Sequence, residues 1–319
     1  MSSEDSTSVK ETELGQSLWK DAWRRLCKNH MAVASAVVIL LILLTCFILP
    51  FVAGLKDPNV QDLNNTFAPM GGDHLLGTDQ SGRDLLSRLI YGGQVSLLVG
   101  LVAAAVSLVI GIGYGAIAGY VGGRTDNLMM RIVDILYGLP FLMLVILFSL
   151  IISEHSKDLT EWLVDQGVDD EKARKFTNLV PLYIAIGALG WLTMARMARA
   201  QVMGIKELEY IEAARSLGLS NTKIMMRHIL PNMLGPIIVY TTLTVPGFIL
   251  YETSLSFLGL GVEAPNSSWG ILLKDGANYM ETYPRLLIIP SVMFSVTLFA
   301  LNFLGDGLRD ALDTKAAKD

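Results

Sequence analysis

Apolar residues in this chain gather into long blocks, and the blocks predict six membrane-spanning helices. A helix needs about 20 apolar residues to cross the roughly 30 Å hydrocarbon layer of a bilayer. Runs of that order cover residues 31–53, 94–119, 132–153, 179–197, 233–257 and 286–305. No lysine falls in any of them, and one arginine, Arg196, stands near the end of the fourth. About thirty largely polar residues precede the first run. That run is longer than the roughly 7–15-residue core of a secretory signal, so it reads as a retained anchor.

Spacing within the blocks says more. Ala103, Ser107, Gly111, Gly115 and Gly119 are four apart and form one stripe of small side chains. In lipid such a stripe lets a second helix approach closely, because dispersion drives the packing. Pro246 should kink or break the fifth span by removing a backbone hydrogen bond. A helix broken at mid-membrane can belong to a transport pathway, so Pro246 is a pathway candidate. Ahead of the first span, Leu18, Ala22, Trp23 and Leu26 recur near helical spacing among Lys20, Arg24, Arg25 and Lys28. That pattern predicts an interfacial helix within residues 15–30, with Trp19 and Trp23 at headgroup depth.

Charge sets the expected orientation. With both termini inside the cell, most of the 25 basic residues fall on the cytoplasmic side. Lys10, Lys20, Arg24, Arg25 and Lys28 lie before the first span, and Arg309, Lys315 and Lys318 follow the last. Arg83, Arg88, Lys274 and Arg285 are among the fewer left to outer loops. This bias fits the positive-inside rule. Composition agrees with lipid as solvent: 52% of residues are hydrophobic and 17% charged, against about 25% charged in soluble domains. A net charge of −5 offers no basic field for nucleic acid.

Catalytic and metal-binding patterns are missing from the sequence. His30, His74, His155 and His228 are scattered over different loops, without HExxH or CxxC spacing. The sequence contains neither a G-x-S-x-G elbow nor a phosphate-binding G-x-x-x-x-G-K-[ST] loop. Two acids enter the apolar runs, Asp134 near one end of the third and Glu252 toward the far end of the fifth. Glu252, turned toward the bundle interior, is the second pathway candidate. The two halves of the chain show no repeat of the kind found in many secondary carriers.

The most informative stretch is the loop at residues 204–232. Lys206 to Leu217 is rich in helix formers, and Gly218 can supply the left-handed residue that ends a helix. Ser220 or Asn221 would cap a second short helix, and Pro231 would open the fifth span. Ala213 and Ala214 leave a thin helix face that a partner groove can receive. The residues alone leave open an ordinary amphipathic loop.

Glu212-Ala213-Ala214, then Gly218, then Ile229-Leu230-Pro231 resembles the EAA loop of binding-protein-dependent ATP-binding-cassette (ABC) importer permeases. Further stretches are similar to the C-type permease subunit of oligopeptide and dipeptide importers. They include Ser17 to Ala22, Gly77-Thr-Asp-Gln-Ser-Gly-Arg-Asp84, Ser254 to Gly261, Ser268-Trp-Gly270 and Asn302 to Asp310. The resemblance runs from about residue 15 to 313. It implies an all-α membrane fold, a six-helix type I ABC importer permease (MetI-like) core. It implies a bacterial inner-membrane location, a second homologous permease subunit, two cytoplasmic ATPase subunits and a periplasmic or lipid-anchored peptide-binding protein. ATP and magnesium would sit on the ATPases, with no cofactor or catalytic residue in this chain. Glu212, Ala213, Ala214, Gly218 and Leu219 would meet the ATPase as a coupling element.

The expected organisation is a cytoplasmic tail with interfacial helix (1–30), a first helix and outer loop (31–93), a five-helix core (94–305) and a cytoplasmic tail (306–319). One stretch departs from the family. The charged connection at residues 154–178 is longer than expected and reads as a solvated surface segment, such as a small helical hairpin. Nickel or glutathione import, or a stand-alone channel or secondary carrier, are the rival functions.

Overall fold

The computed structural model describes residues 18–262 and 266–312, with side chains from Ala22 onward. Lys10, Lys315 and Lys318, and the side chains of Trp19 and Lys20, lie outside the described residues. In chain order the helices are α1 (Leu18–Lys28), α2 (His30–Phe47), α3 (Leu49–Ala53), α4 (Leu85–Val121), α5 (Gly123–Tyr137), α6 (Phe141–Asp165) and α7 (Asp170–Thr177). They continue as α8 (Val180–Lys206), α9 (Glu209–Ser216), α10 (Asn221–Ile224), α11 (Leu230–Leu258), α12 (Trp269–Asn278) and α13 (Arg285–Leu312). Among the described residues, five stretches are long and apolar enough to cross a bilayer, and six when α5 and α6 are counted as one bent span.

That bent pair corrects the expected third span. Residues 132–153 do not form one helix, because α5 and α6 meet at 93° across a break at residues 138–140. Pro140 is the cause: the residue before a proline is pushed out of helical geometry. The first run also divides. Asn29 caps α2 by accepting from the Ala32 amide at 3.2 Å. α2 ends at Phe47, and Pro50 sits in the first turn of the separate helix α3. Cys27 and Cys46 accordingly lie on different helices, both as free thiols.

Pro246 does not break the fifth span. α11 runs unbroken across Pro236 and Pro246. Val245, Pro246, Phe248 and Ile249 are buried against neighbouring helices, which hold the helix through the lost hydrogen bond. The long connection 154–178 is largely helical. α6 continues through it to Asp165, and α7 folds back with Thr160 Oγ1 and Thr177 Oγ1 2.6 Å apart.

The stripe on α4 works as its spacing implies. Ala103, Ser107, Gly111, Gly115 and Gly119 are all buried, and the last three lie against α8. A Cβ on Gly111 would stand 2.5 Å from Met194 Cβ, and one on Gly115 would stand 2.7 Å from Ala198 Cβ. α8 returns the favour at Gly187, where a Cβ would stand 2.8 Å from Val106 Cβ. Ser107 Oγ donates to the Gly187 carbonyl at 3.0 Å. Backbone-to-backbone approach of this kind maximises dispersion contacts where no hydrophobic drive exists between helices.

The stripe yields a graded test. Gly111→Ala and Gly115→Ala should each destabilise the solubilised protein by about 1–3 kcal/mol through overpacking. Gly113 faces open space, so Gly113→Ala should be neutral or stabilising by up to about 1 kcal/mol. Thermal unfolding in detergent reads both, and equal midpoints for all three variants would remove the stripe's role.

Candidate functional site

The loop 204–232 is a seated elbow. α8 extends as far as Lys206, whose Nζ donates to the Tyr120 carbonyl at the end of α4 at 2.7 Å. Tyr120 in turn donates its hydroxyl to Asn221 Oδ1 at 2.9 Å. After a turn at Glu207 and Leu208 the chain forms α9, with Glu209 and Glu212 in its first turn and Arg215 in its last. Those charges complement the helix dipole. Gly218 ends α9 with φ of +80°. Around it Leu217, Gly218 and Leu219 donate their amides to the carbonyls of Ala213, Arg215 and Ala214 at 3.0–3.2 Å, which satisfies the helix's last acceptors.

Burial divides α9 into two faces. Ile211 and Ala214 are buried beside Val202, Ile224, Ile229 and Met233, while Leu219 packs partly against the same cluster. Glu212, Ala213 and Gly218 are exposed, and Leu217 is 81% exposed. The structure therefore differs from the expected helix in three ways. Lys206 belongs to α8 and not to the elbow. Ala214 turns inward, because three-residue spacing puts it on the face of Ile211. Ser220 is the N-cap residue of α10 without a side-chain bond, while Asn221 receives Tyr120. A wider π-helical turn at Met225–Ile229 leads from α10 into α11, and Pro231 opens α11 as expected.

Glu252 is fully buried. Ser96 Oγ donates to its Oε2 at 2.8 Å, and Ser256 Oγ to its Oε1 at 2.7 Å. The same hydroxyls accept backbone amides, Ser96 from Trp269 at 3.2 Å and Ser256 from Val262 at 3.1 Å. Glu252 thus anchors both sides of the connection between α11 and α12. The Trp269 indole donates to the Leu89 carbonyl at 3.1 Å, fixing α12 to α4. Pro246 is also enclosed, so the two pathway candidates are both packed residues.

A third polar assembly organises the loop before α4, where the stretch Gly77 to Asp84 folds around Asp79. The Asp79 carboxylate accepts from the amides of Ser81 and Arg83, from Arg83 Nε at 2.8 Å and from Arg88 Nη1 at 2.6 Å. Arg88 also reaches Asp275 on α12 at 3.2 Å. Arg285, at the start of α13, donates to the carbonyls of Phe67 and Ala68 at 2.9 and 2.7 Å. Gly82 adopts φ of +72°, and a Cβ there would collide with the Asp62 backbone. Asp62 accepts from the Asn65 side chain and the Asn64 amide, which hold its carboxyl below the usual range. Arg83, Arg88 and Arg285 read as outer-loop charges along the chain, yet Arg88 is buried in the first turn of α4. The Asp79–Arg83 spacing of four was the available signal.

Two more ion pairs fasten α5 along α8. Arg199 makes a bidentate pair with Asp126 at 2.5 and 2.6 Å, and Arg196 reaches Asp134 at 2.6 Å. The partners stand 73 and 62 residues apart along the chain, beyond the reach of local spacing.

These elements describe a multi-pass membrane permease: apolar helices around close-packed glycines, tied together on one side by a polar clasp and carrying a braced elbow. The chain belongs to the family described as "Binding-protein-dependent transport system inner membrane component", whose model matches residues 111–318. Residues 17–69 match the N-terminal transmembrane domain of oligopeptide transport permease C. The chain is 46% identical to the oligopeptide transport system permease protein OppC of Haemophilus influenzae, over 96% of this chain and 92% of that one. It is 40% identical to the dipeptide transport system permease protein DppC of Bacillus subtilis, over 98% and 89%. A glutathione transport system permease protein, GsiD of Pectobacterium atrosepticum, is more distant at 33% over 93% and 91%.

The clasp supports a double-mutant test. Asp79→Ala takes the nearer of its two carboxylates from the buried Arg88, and the Arg83 side chain loses its 2.8 Å partner, so it should cost about 3–5 kcal/mol. Asp79→Leu combined with Arg88→Met should recover part of that stability, because no buried guanidinium is left short of its counterion, while Arg83 and the amides of Ser81 and Arg83 still lose Asp79. Unfolding midpoints read the difference, and equal losses in both would show that the pairing is irrelevant.

Proposed function

We propose that this chain is one of two membrane-spanning permease subunits of an ABC importer that carries oligopeptides or dipeptides into a bacterial cell. The observation that carries this reading is the two-faced elbow α9. Its inner face is locked to the bundle by Ile211 and Ala214, so force on its outer face passes into α8 and α11 rather than bending a loop. Glu212, Ala213, Leu217 and Gly218 form the outer face, and Leu219 braces it from below. Ala213 and Leu217 lie four apart on one side of the turn. An ATPase subunit would grip that side, with ATP and magnesium bound on the ATPase and no chemistry performed here.

The positive-inside bias supports a cytoplasmic position for α9 and for both ends of the chain. Cargo would arrive from a binding protein outside the membrane, and a second homologous permease would complete the pathway. The likeness to oligopeptide and dipeptide permeases exceeds that to the glutathione permease, which favours peptide cargo.

Reconstitution with the second permease, two ATPases and binding protein tests the reading. Wild-type vesicles should take up peptide only with ATP. Leu217→Asp leaves the buried face intact and should lower uptake at least about tenfold, as loss of an interface hot spot does. Unchanged uptake would refute coupling through α9. Uptake by the chain alone on an ion gradient would instead identify a secondary carrier.

A further inference from the structure

A cavity of about 330 Å³ lies where the bend between α5 and α6 faces α8 and α11, at the small end of the range for ligand sites. Tyr137 and Phe141 flank the bend, Thr193 comes from α8, and Thr244, Gly247 and Tyr251 come from successive turns of α11. The lining combines leucine side chains and aromatic faces with a few hydroxyls. Tyr137 Oη and Thr193 Oγ1 are 2.6 Å apart, and the Phe141 and Tyr251 rings pack with centroids 4.4 Å apart. Thr244 donates its hydroxyl to the Thr241 carbonyl, which leaves its oxygen free to accept. Charge stops at the rim: the Arg196 guanidinium lies over the Tyr137 ring at 4.3 Å and pairs with Asp134.

Gly247 keeps this space open. The buried glycines on α4 are each pressed against a neighbouring helix, whereas a Cβ on Gly247 would meet nothing within 4 Å. A glycine inside a helix costs about 1 kcal/mol relative to alanine. Here no protein atom requires one. What the missing side chain leaves is room, and bare backbone that a ligand can approach.

We propose that the cavity is a transit subsite for a short stretch of extended peptide, an inference that rests on the chain being a peptide permease. The hydroxyls of Tyr137, Thr193, Thr244 and Tyr251 supply donors and acceptors to peptide amides, which every cargo presents. The aromatic faces seat side chains of varied size. No charged group lines the space, so the subsite does not select by side-chain charge.

The test uses the complete importer in vesicles, with tri-alanine and tri-phenylalanine as cargo. Gly247→Ala, Gly247→Leu and Gly247→Phe should lower uptake stepwise with side-chain volume. The Phe variant should lose at least tenfold, and tri-phenylalanine should be affected first. Gly113→Phe on the open face of α4 should transport as wild type. Co-purification with the second permease should persist in the Gly247 series. Equal uptake by Gly247→Phe and wild type would overturn the subsite while leaving the peptide reading intact. Loss of the second permease from Gly247→Phe would also overturn it, by showing that a partner helix fills the space. A wild-type importer that moves neither peptide would sink the peptide reading and the subsite together.

Discussion

The close approach of α4 and α8 is the constraint on which the rest of this structure depends. Gly111, Gly115 and Gly187 have no side chain between the two backbones, so the helices lie against each other along their length. In a bilayer that contact must be won by dispersion and by geometry, because lipid tails are as apolar as the side chains they replace. Once the two helices are fixed, their ends are fixed as well. Lys206 then meets the Tyr120 carbonyl, and the elbow after α8 begins from a held position.

The polar groups follow the same division of labour. Asp79, Arg88 and Asp275 tie one loop to α12, Arg285 ties that loop to α13, and Glu252 ties the α11–α12 connection to α4. Each is a buried or half-buried ionisable group held by hydrogen bonds or ion pairs to groups on other segments. Together they make the clasp end of the bundle stiff. At the other end α5 is held differently. It buries only Asp126 and Val133, exposes Leu128, Ile132 and Ile135, and relies on the Arg196 and Arg199 pairs. The bundle is thus closely tied at one end and carries a bent, lightly packed helix toward the other.

The elbow α9 joins these two properties. The coupling role proposed for α9 requires a helix rigid toward its own subunit and available to a partner. Alternation of Ile211 and Ala214 with Glu212 and Ala213 achieves both within one short helix. Gly218, in the left-handed region, turns the chain without leaving acceptors unsatisfied. Leu219 then returns to the core and closes the unit.

The sequence by itself determined the apolar spans, the small-residue stripe, the left-handed glycine at 218 and the family, since each of these is written in local spacing. Only the tertiary structure decided the 93° turn at residues 138–140, the inward direction of Ala214, the continuity of α11 through Pro246 and the partners of Arg88, Arg196 and Arg199. The physical reason is range. Helix-forming tendency and apolar periodicity act over a few residues and can be read along the chain. Whether a proline bends a helix, or a charge finds its counterion, depends on atoms brought alongside from distant segments. Glu252 shows the difference most directly: its place in the fifth span was legible, but its hydroxyl partner Ser96 lies on another helix, 156 residues away.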